Sequence, residues 1–193
     1  MDTEAFWQLI ADSLEYAPSR VARQDYLRDR LAKLAPSEIV DFQALLDQIS
    51  DRAYSWDLWG AAMRILGGLC TDDGFEDFRL WLVGHGRAVF ERAVVAPDTL
   101  AAVPAVARLA GRPRHDWDTD GEWPGWESLD SVAADAYLQV TGNDDECGEE
   151  FYDAVESRLY DVALRRHPDG TRWDARDESA AARKIPVLSA MFP

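Results

Sequence analysis

Residues 36–53 read PSEIVDFQALLDQISDRA, and the fold class follows from how that stretch is spaced. Ile39, Phe42, Leu46, Ile49 and Ala53 recur three and four apart, the interval that lines one face of an α-helix, and no period-two alternation competes with it. Pro36 suits the first helical turn, where its missing N–H would have had no partner, and Glu38 then lies near the positive end of the helix dipole.

The same spacing extends outward in both directions. Towards the N-terminus, Phe6, Trp7, Ile10 and Leu14 form one stripe and Leu27, Leu31 and Leu34 a second, with Pro18 and Pro36 as separators. Towards the C-terminus a fourth helix carries Trp59, Ala62, Met63 and Leu66 and stops at Gly67-Gly68, which supply the left-handed backbone of a C-cap. Asp73 is expected to cap a fifth helix, with Glu76 three residues on as an acidic capping box. Phe75, Phe78, Trp81 and Leu82 face the core from it, and Gly84 or Gly86 ends it. Val89, Phe90 and Ala93 mark a short sixth helix, and Pro104 breaks the stretch that Asp98 opens. Leu129, Val132, Ala133, Ala136, Tyr137 and Val140 keep helical spacing up to a polar turn at 142–145, as do Phe151, Val155, Leu159 and Val162 beyond it. The tail from Ser179 to Met191 is partly helical and interrupted at Pro186. The expectation is an all-α chain, a single compact domain of about eight to ten helices. It would comprise a helical core over 1–111, an acidic loop over 112–127 and C-terminal helices over 128–193 packed on the same core.

Composition excludes several classes of function. Of 193 residues, 36 are acidic and 20 basic, a net charge of −16, and such a field repels phosphate backbones and anionic membrane surfaces. Direct nucleic-acid binding is therefore not expected. Most of the excess charge lies between Asp116 and Asp153, a stretch with no Lys or Arg. No apolar run of about 18 residues offers a membrane span, and the start Met1-Asp2-Thr3-Glu4 is unlike a signal peptide, so a cytoplasmic location is expected. Cys70 and Cys147 lack the spacing of a zinc site or a disulfide framework and read as ordinary thiols. His85, His115 and His167 are scattered, none beside a nucleophile and an orienting carboxylate, so no catalytic residue is assigned. His85, between two glycines, suits a helix end.

The densest unusual segment runs from Trp56-Asp57-Leu58-Trp59-Gly60 through Thr71-Asp72-Asp73-Gly74-Phe75-Glu76-Asp77-Phe78-Arg79 to Gly86-Arg87. With the opening Phe6-Trp7-Gln8-Leu9-Ile10 it resembles the signature of a bacterial, largely actinobacterial, family of unknown function, the one numbered 4240. The resemblance spans roughly residues 1–140. It implies a helical domain and brings no established activity, so it assigns no roles to residues.

Read physically, Asp72, Asp73 and Asp77 gather carboxylates beside Arg79 and Arg87, within tryptophan walls from Trp56, Trp59 and Trp81, a setting for a small cationic or polar ligand. The structural reading is simpler: Asp73 caps, Arg79 pairs with Asp57 or Asp77, and aromatic residues at helical spacing are core. A second pattern, Asp116-Trp117-Asp118-Thr119-Asp120-Gly121-Glu122-Trp123-Pro124-Gly125-Trp126-Glu127, fits a calcium loop letter for letter, with Asp116, Asp118, Asp120, Glu122 and Glu127 as oxygen donors. Pro113 before it and Pro124-Gly125 within it interrupt the helices such a loop needs, and a solvated acidic loop accounts for the same letters. No cofactor is required, and calcium is the one this pattern would admit.

These features favour a non-enzymatic module that presents Asp116–Glu127 and its tryptophans to a basic protein partner, mimicry of nucleic acid being one variant. The competing reading is a small-molecule-binding protein or enzyme with its site around Trp56, Trp59, Asp72, Asp77 and Arg79. A cavity reaching Asp72 and Asp77 would favour the second reading, a filled core there the first.

Overall fold

The computed structural model describes residues 1–118, 121–142 and 148–193. Among them the chain is all-α, with a single isolated β-bridge and no strand. In chain order the helices are α1 (Thr3–Tyr16), α2 (Arg20–Leu31), α3 (Pro36–Arg52), α4 (Trp56–Ile65), α5 (Asp72–Gly84), α6 (Arg87–Val95), α7 (Pro104–Ala107), α8 (Val132–Thr141), α9 (Glu149–Leu159), α10 (Glu178–Lys184) and α11 (Pro186–Met191). Short 3-10 turns occupy Pro97–Ala102, Arg114–Asp116 and Glu127–Leu129. No helix of the described residues is long and apolar enough to cross a membrane. Contacts group the chain into two units, each of two segments: Met1–Asp51 with Glu127–Leu164, and Arg52–Trp126 with Arg165–Pro193.

In the first unit α2 packs against both α1 and α8. Phe6, Ile10, Leu27, Leu31, Phe42 and Leu46 are fully buried, with the Phe6 and Phe42 rings 4.9 Å apart. Asp2 caps α1 through Ala5 N–H, Ser19 caps α2 through Ala22 N–H, and Glu38 accepts from Ala35 N–H at the start of α3. The α1 stripe closes differently from its spacing. Leu14 is 44% exposed, and Ser13 is buried instead, donating to Ile10 O and accepting from the Arg23 guanidinium at 3.1 and 3.2 Å. A polar joint to α2 takes the place of the expected apolar contact. Gly142, at φ +65°, ends α8 in the left-handed conformation, while Asn143–Asp145 of the expected turn lie outside the described residues, as does Cys147.

In the second unit the start of α4 is fastened to a distant segment by the bridge of Ser55 with Asp169: Trp56 N–H donates to Asp169 O and Asp169 N–H to Tyr54 O, each at 2.9 Å. Gly67 and Gly68 end α4 at φ +59° and +84°, with Gly68 N–H reaching back to Met63 O and Gly67 N–H to Arg64 O, the Schellman arrangement. The cap of α5 is Thr71, whose hydroxyl accepts from Gly74 N–H at 3.2 Å. The expected cap, Asp73, lies inside the first turn with its side chain exposed, because the helix starts two residues earlier than the Asp-Gly pair suggests. His85 Nδ1 donates to Trp81 O at 3.0 Å at the other end of α5. Buried Arg64 ties α4 to the last segment, donating to Ala175 O at 3.2 Å and to Glu178 at 2.5 Å, and Asp98 accepts from the N–H groups of Val187 and Leu188 at the start of α11.

Candidate functional site

The first two turns of α4 set Trp56, Trp59, Gly60 and Met63 along a groove. Trp56 and Trp59, three apart and therefore on one helix face, stack with ring centres 5.2 Å apart and planes 7° from parallel; Trp59 continues onto Phe75 of α5 at 4.9 Å. Trp59 Nε1 donates to Cys70 O at 3.1 Å, which holds the α4–α5 connection against the stack.

The facing wall is residues 172–176. Arg172 lays its guanidinium over the Trp56 ring, 5.0 Å from its centre. Trp173 drops its indole against Gly60, where a methyl group would lie 2.2 Å from a ring carbon, and donates Nε1–H to Asp57 at 2.9 Å. Gly60 is thus a mid-helix glycine with a packing reason, since any side chain there would occupy the indole's place. Asp57 also accepts from Lys184 Nζ at 2.9 Å. Arg176 donates to Gly68 O at 3.1 Å, and Asp174 accepts the backbone N–H of Arg176.

Between these walls is an open groove of about 970 Å³, with Met63, Cys70 and Ala175 among its apolar lining and Thr71, Asp72 and Arg176 among its polar groups. Burial pushes the Cys70 thiol up to about 12, the carboxylates of Asp77 and Asp72 adding to the shift against the hydrogen bond with Trp59. Cys70 therefore stands in the groove as a neutral thiol and not as a nucleophile.

Of the residues singled out in the sequence, Trp56, Trp59 and Asp72 line this groove, and Asp57 stands behind it as the anchor of Trp173. The others go elsewhere. Asp73 is exposed on the first turn of α5, and Asp77 accepts Trp126 N–H through its backbone carbonyl at 3.0 Å. The Arg79 guanidinium sits over Tyr54 at 4.8 Å and Phe75 at 5.6 Å. Arg87 opens α6, where it and Arg52 face Glu91; the Arg52 hydrogen bond is the main cause of a lowered Glu91 pKa. Trp81 is core, 4% exposed and packed between Phe78 and His85. The sequence reading gave no site role to Gly60, Met63, Arg172, Trp173 or Arg176. The one available signal was a second Trp-Asp pair, Trp173-Asp174, flanked by arginines and matching Trp56-Asp57.

The 116–127 stretch is built differently. Arg112 grips Glu122 with two hydrogen bonds at 2.6 and 2.9 Å and also donates to Asp116 O, while Glu122 accepts Asp118 N–H at 3.0 Å. The Glu122 carboxyl is held down at about 2, chiefly by the Arg112 hydrogen bonds and then by that backbone N–H. Trp117 and Trp126 are 6% and 2% exposed and Trp123 is half-buried, so two of the three indoles expected to be exposed to a partner are in the interior, where their large apolar area is stabilised. The stretch is flanked by 3-10 turns and not by the helices of a calcium loop. Asp120 lies outside the described residues, and among the described ones no three acidic, His or Cys side chains gather to hold a metal ion.

Comparison with known proteins returns one family. A family model described as "Protein of unknown function (DUF4240)" matches residues 1–139. No curated protein and no solved structure matches the chain. The matched residues include the α4 and Asp72 side of the groove and stop short of the 172–176 side.

Proposed function

The chain belongs to the DUF4240 family, a family of unknown function, and from that premise we propose that its second unit is a small-molecule-binding module whose ligand lies in the groove between α4 and residues 172–176. One observation carries this reading: the stacked Trp56–Trp59 pair borders an open cavity whose other side is fixed by an indole seated on Gly60. A concave site lined by aromatic and apolar side chains with a few polar groups is the usual form of a ligand pocket. The geometry is also pre-set, because Trp173 is held by Asp57, and Arg176 by Gly68, before anything binds.

The groove holds Trp56, Trp59 and Asp72 but not Asp77 or Arg79, so the ligand reading is kept with a relocated site. A module that displays residues 116–127 to a basic protein has less support, since Trp117 and Trp126 are buried and Glu122 is already paired with Arg112. Neutral Cys70 and the absence of histidine from the groove lining suit holding a molecule more than transforming it.

The test is a screen of small polar aromatic compounds read on the assigned indole N–H resonances. Binding should move the signals of Trp56, Trp59 and Trp173 together and leave those of Trp117 and Trp126 in place. Hits that shift Trp117 and Trp126 while sparing Trp56 and Trp173 would refute it.

A further inference from the structure

We infer that the groove's ligand is a small organic carboxylate with an aromatic or apolar body, its carboxylate held by Arg172 and Arg176. This narrows the groove reading above and depends on it.

Arg28, Arg52, Arg64, Arg112 and Arg158 each meet a carboxylate of the fold itself. Arg172 and Arg176 do not, among the described residues. Arg172 meets the Trp56 ring, and the Arg176 side chain makes one hydrogen bond, to a backbone carbonyl. Both are exposed, four residues apart, on one wall of one groove. A guanidinium holds five N–H donors in a fixed fork that matches a carboxylate in a bidentate pair, so most of the donor capacity of this wall is unused. The long-range negative field of the chain opposes an anion only weakly, because it is screened over about 8 Å at physiological salt while the two guanidiniums act at contact.

The groove's own acids limit the charge. Asp72 lines the groove with no ion-pair partner of its own, and the Asp174 carboxylate is turned to a backbone N–H. A second negative charge on the ligand would face Asp72, which selects a monoanion over a dianion such as a phosphate monoester. Trp56, Met63 and Trp173 offer the surface for the ligand's body.

The experiment is calorimetric titration of the full chain with indole-3-carboxylate and with its neutral twin, indole-3-carboxamide. The carboxylate should bind at least about tenfold more tightly, the lower end of what a charged hydrogen-bond pair contributes. Arg172→Gln and Arg176→Gln should each bring the carboxylate close to the carboxamide's affinity while the carboxamide still binds and the free variants still melt cooperatively. Asp72→Asn should tighten the carboxylate and leave the carboxamide unchanged. Equal affinities for the two probes, with the indole N–H signals of Trp56 and Trp173 shifting for both, would overturn the carboxylate inference while the groove reading survives. No saturable binding of either probe at millimolar concentration, or binding that leaves those two signals unmoved, would overturn both.

Discussion

Two stretches of the second unit, 56–77 and 112–126, are alike in composition, rich in tryptophan and acid, and opposite in what they do with it. In the first, Trp56 and Trp59 border an open groove, and the arginines beside it arrive from residues 172–176, one over Trp56 and one on Gly68 O, with no carboxylate of their own among the described residues. In the second, Trp117 and Trp126 are buried, and Glu122 is closed by Arg112 only ten residues away. The difference teaches that a tryptophan-and-acid signature does not by itself mark a site. What separates the two is where the complementary groups come from: near neighbours in sequence close a loop upon itself, whereas a distant segment can stand off and leave a space.

The largest effect is expected from Trp117→Ala, which should cost about 3–5 kcal/mol, the usual range for removing a large buried aromatic; Trp56→Ala should cost far less and abolish ligand binding. Equal melting losses in the two variants would erase the distinction. Next comes Gly60→Ala. An exposed helix position would gain about 1 kcal/mol from this change, but here the new methyl lies 2.2 Å from the Trp173 ring. Overpacking of about 1–3 kcal/mol should win and release Trp173, read as a lower Tm and a shifted indole N–H signal. A smaller loss, about 0.5–2 kcal/mol, is expected for Thr71→Ala as the cap of α5, with Asp73→Ala close to neutral. A melt in which Asp73→Ala is the worse of the two would restore the cap to Asp73.

Acid sensitivity should be smaller again. The Glu122 carboxyl is depressed from its ordinary 4.5 to about 2 by Arg112 and the Asp118 N–H. Its contribution is therefore present above the ordinary value and disappears as pH falls through about 2. Between pH 5 and pH 2 (roughly the window that this depressed value sets), Arg112→Gln should lose less stability than the parent, and parallel curves would show the pair to be inert. Calcium should have the smallest effect of all, no rise in Tm, since the Glu122 carboxylate is already engaged by Arg112; a rise reversed by chelator would reopen the loop as a metal site.

Much of the helical framework was legible because its signals are local. Pro36 starts α3, Gly67-Gly68 end α4 and Pro186 splits the tail, each through a backbone property of the residue itself. Errors arose where two local rules competed. Thr71 and Asp73 can both cap, and the hydroxyl nearer the extended backbone prevailed; Leu14 continued an apolar period that Ser13 and Arg23 ended with a polar joint. For the groove, Trp56, Trp59 and Asp72 were legible since they share one motif, whereas Trp173 meets Asp57 across 116 residues. No periodicity runs over such a separation, and the glycine that receives the indole reads in sequence as no more than a weak spot in a helix.

The seating of Trp173 on Gly60 also puts a clock on the protein's synthesis. Chains are made from the N-terminus at about 5–20 residues per second, so the 116 residues from Asp57 to Trp173 take roughly 6–23 s to appear. During that interval α4 leaves the ribosome with its notch unfilled and its tryptophan pair lacking the facing wall. The Glu127–Leu164 segment that completes the first unit is made before the Arg165–Pro193 segment that completes the second. The wall at 172–176 is consequently a late addition to the fold, and a nascent chain stalled before residue 173 presents its tryptophan pair to whatever else is in reach.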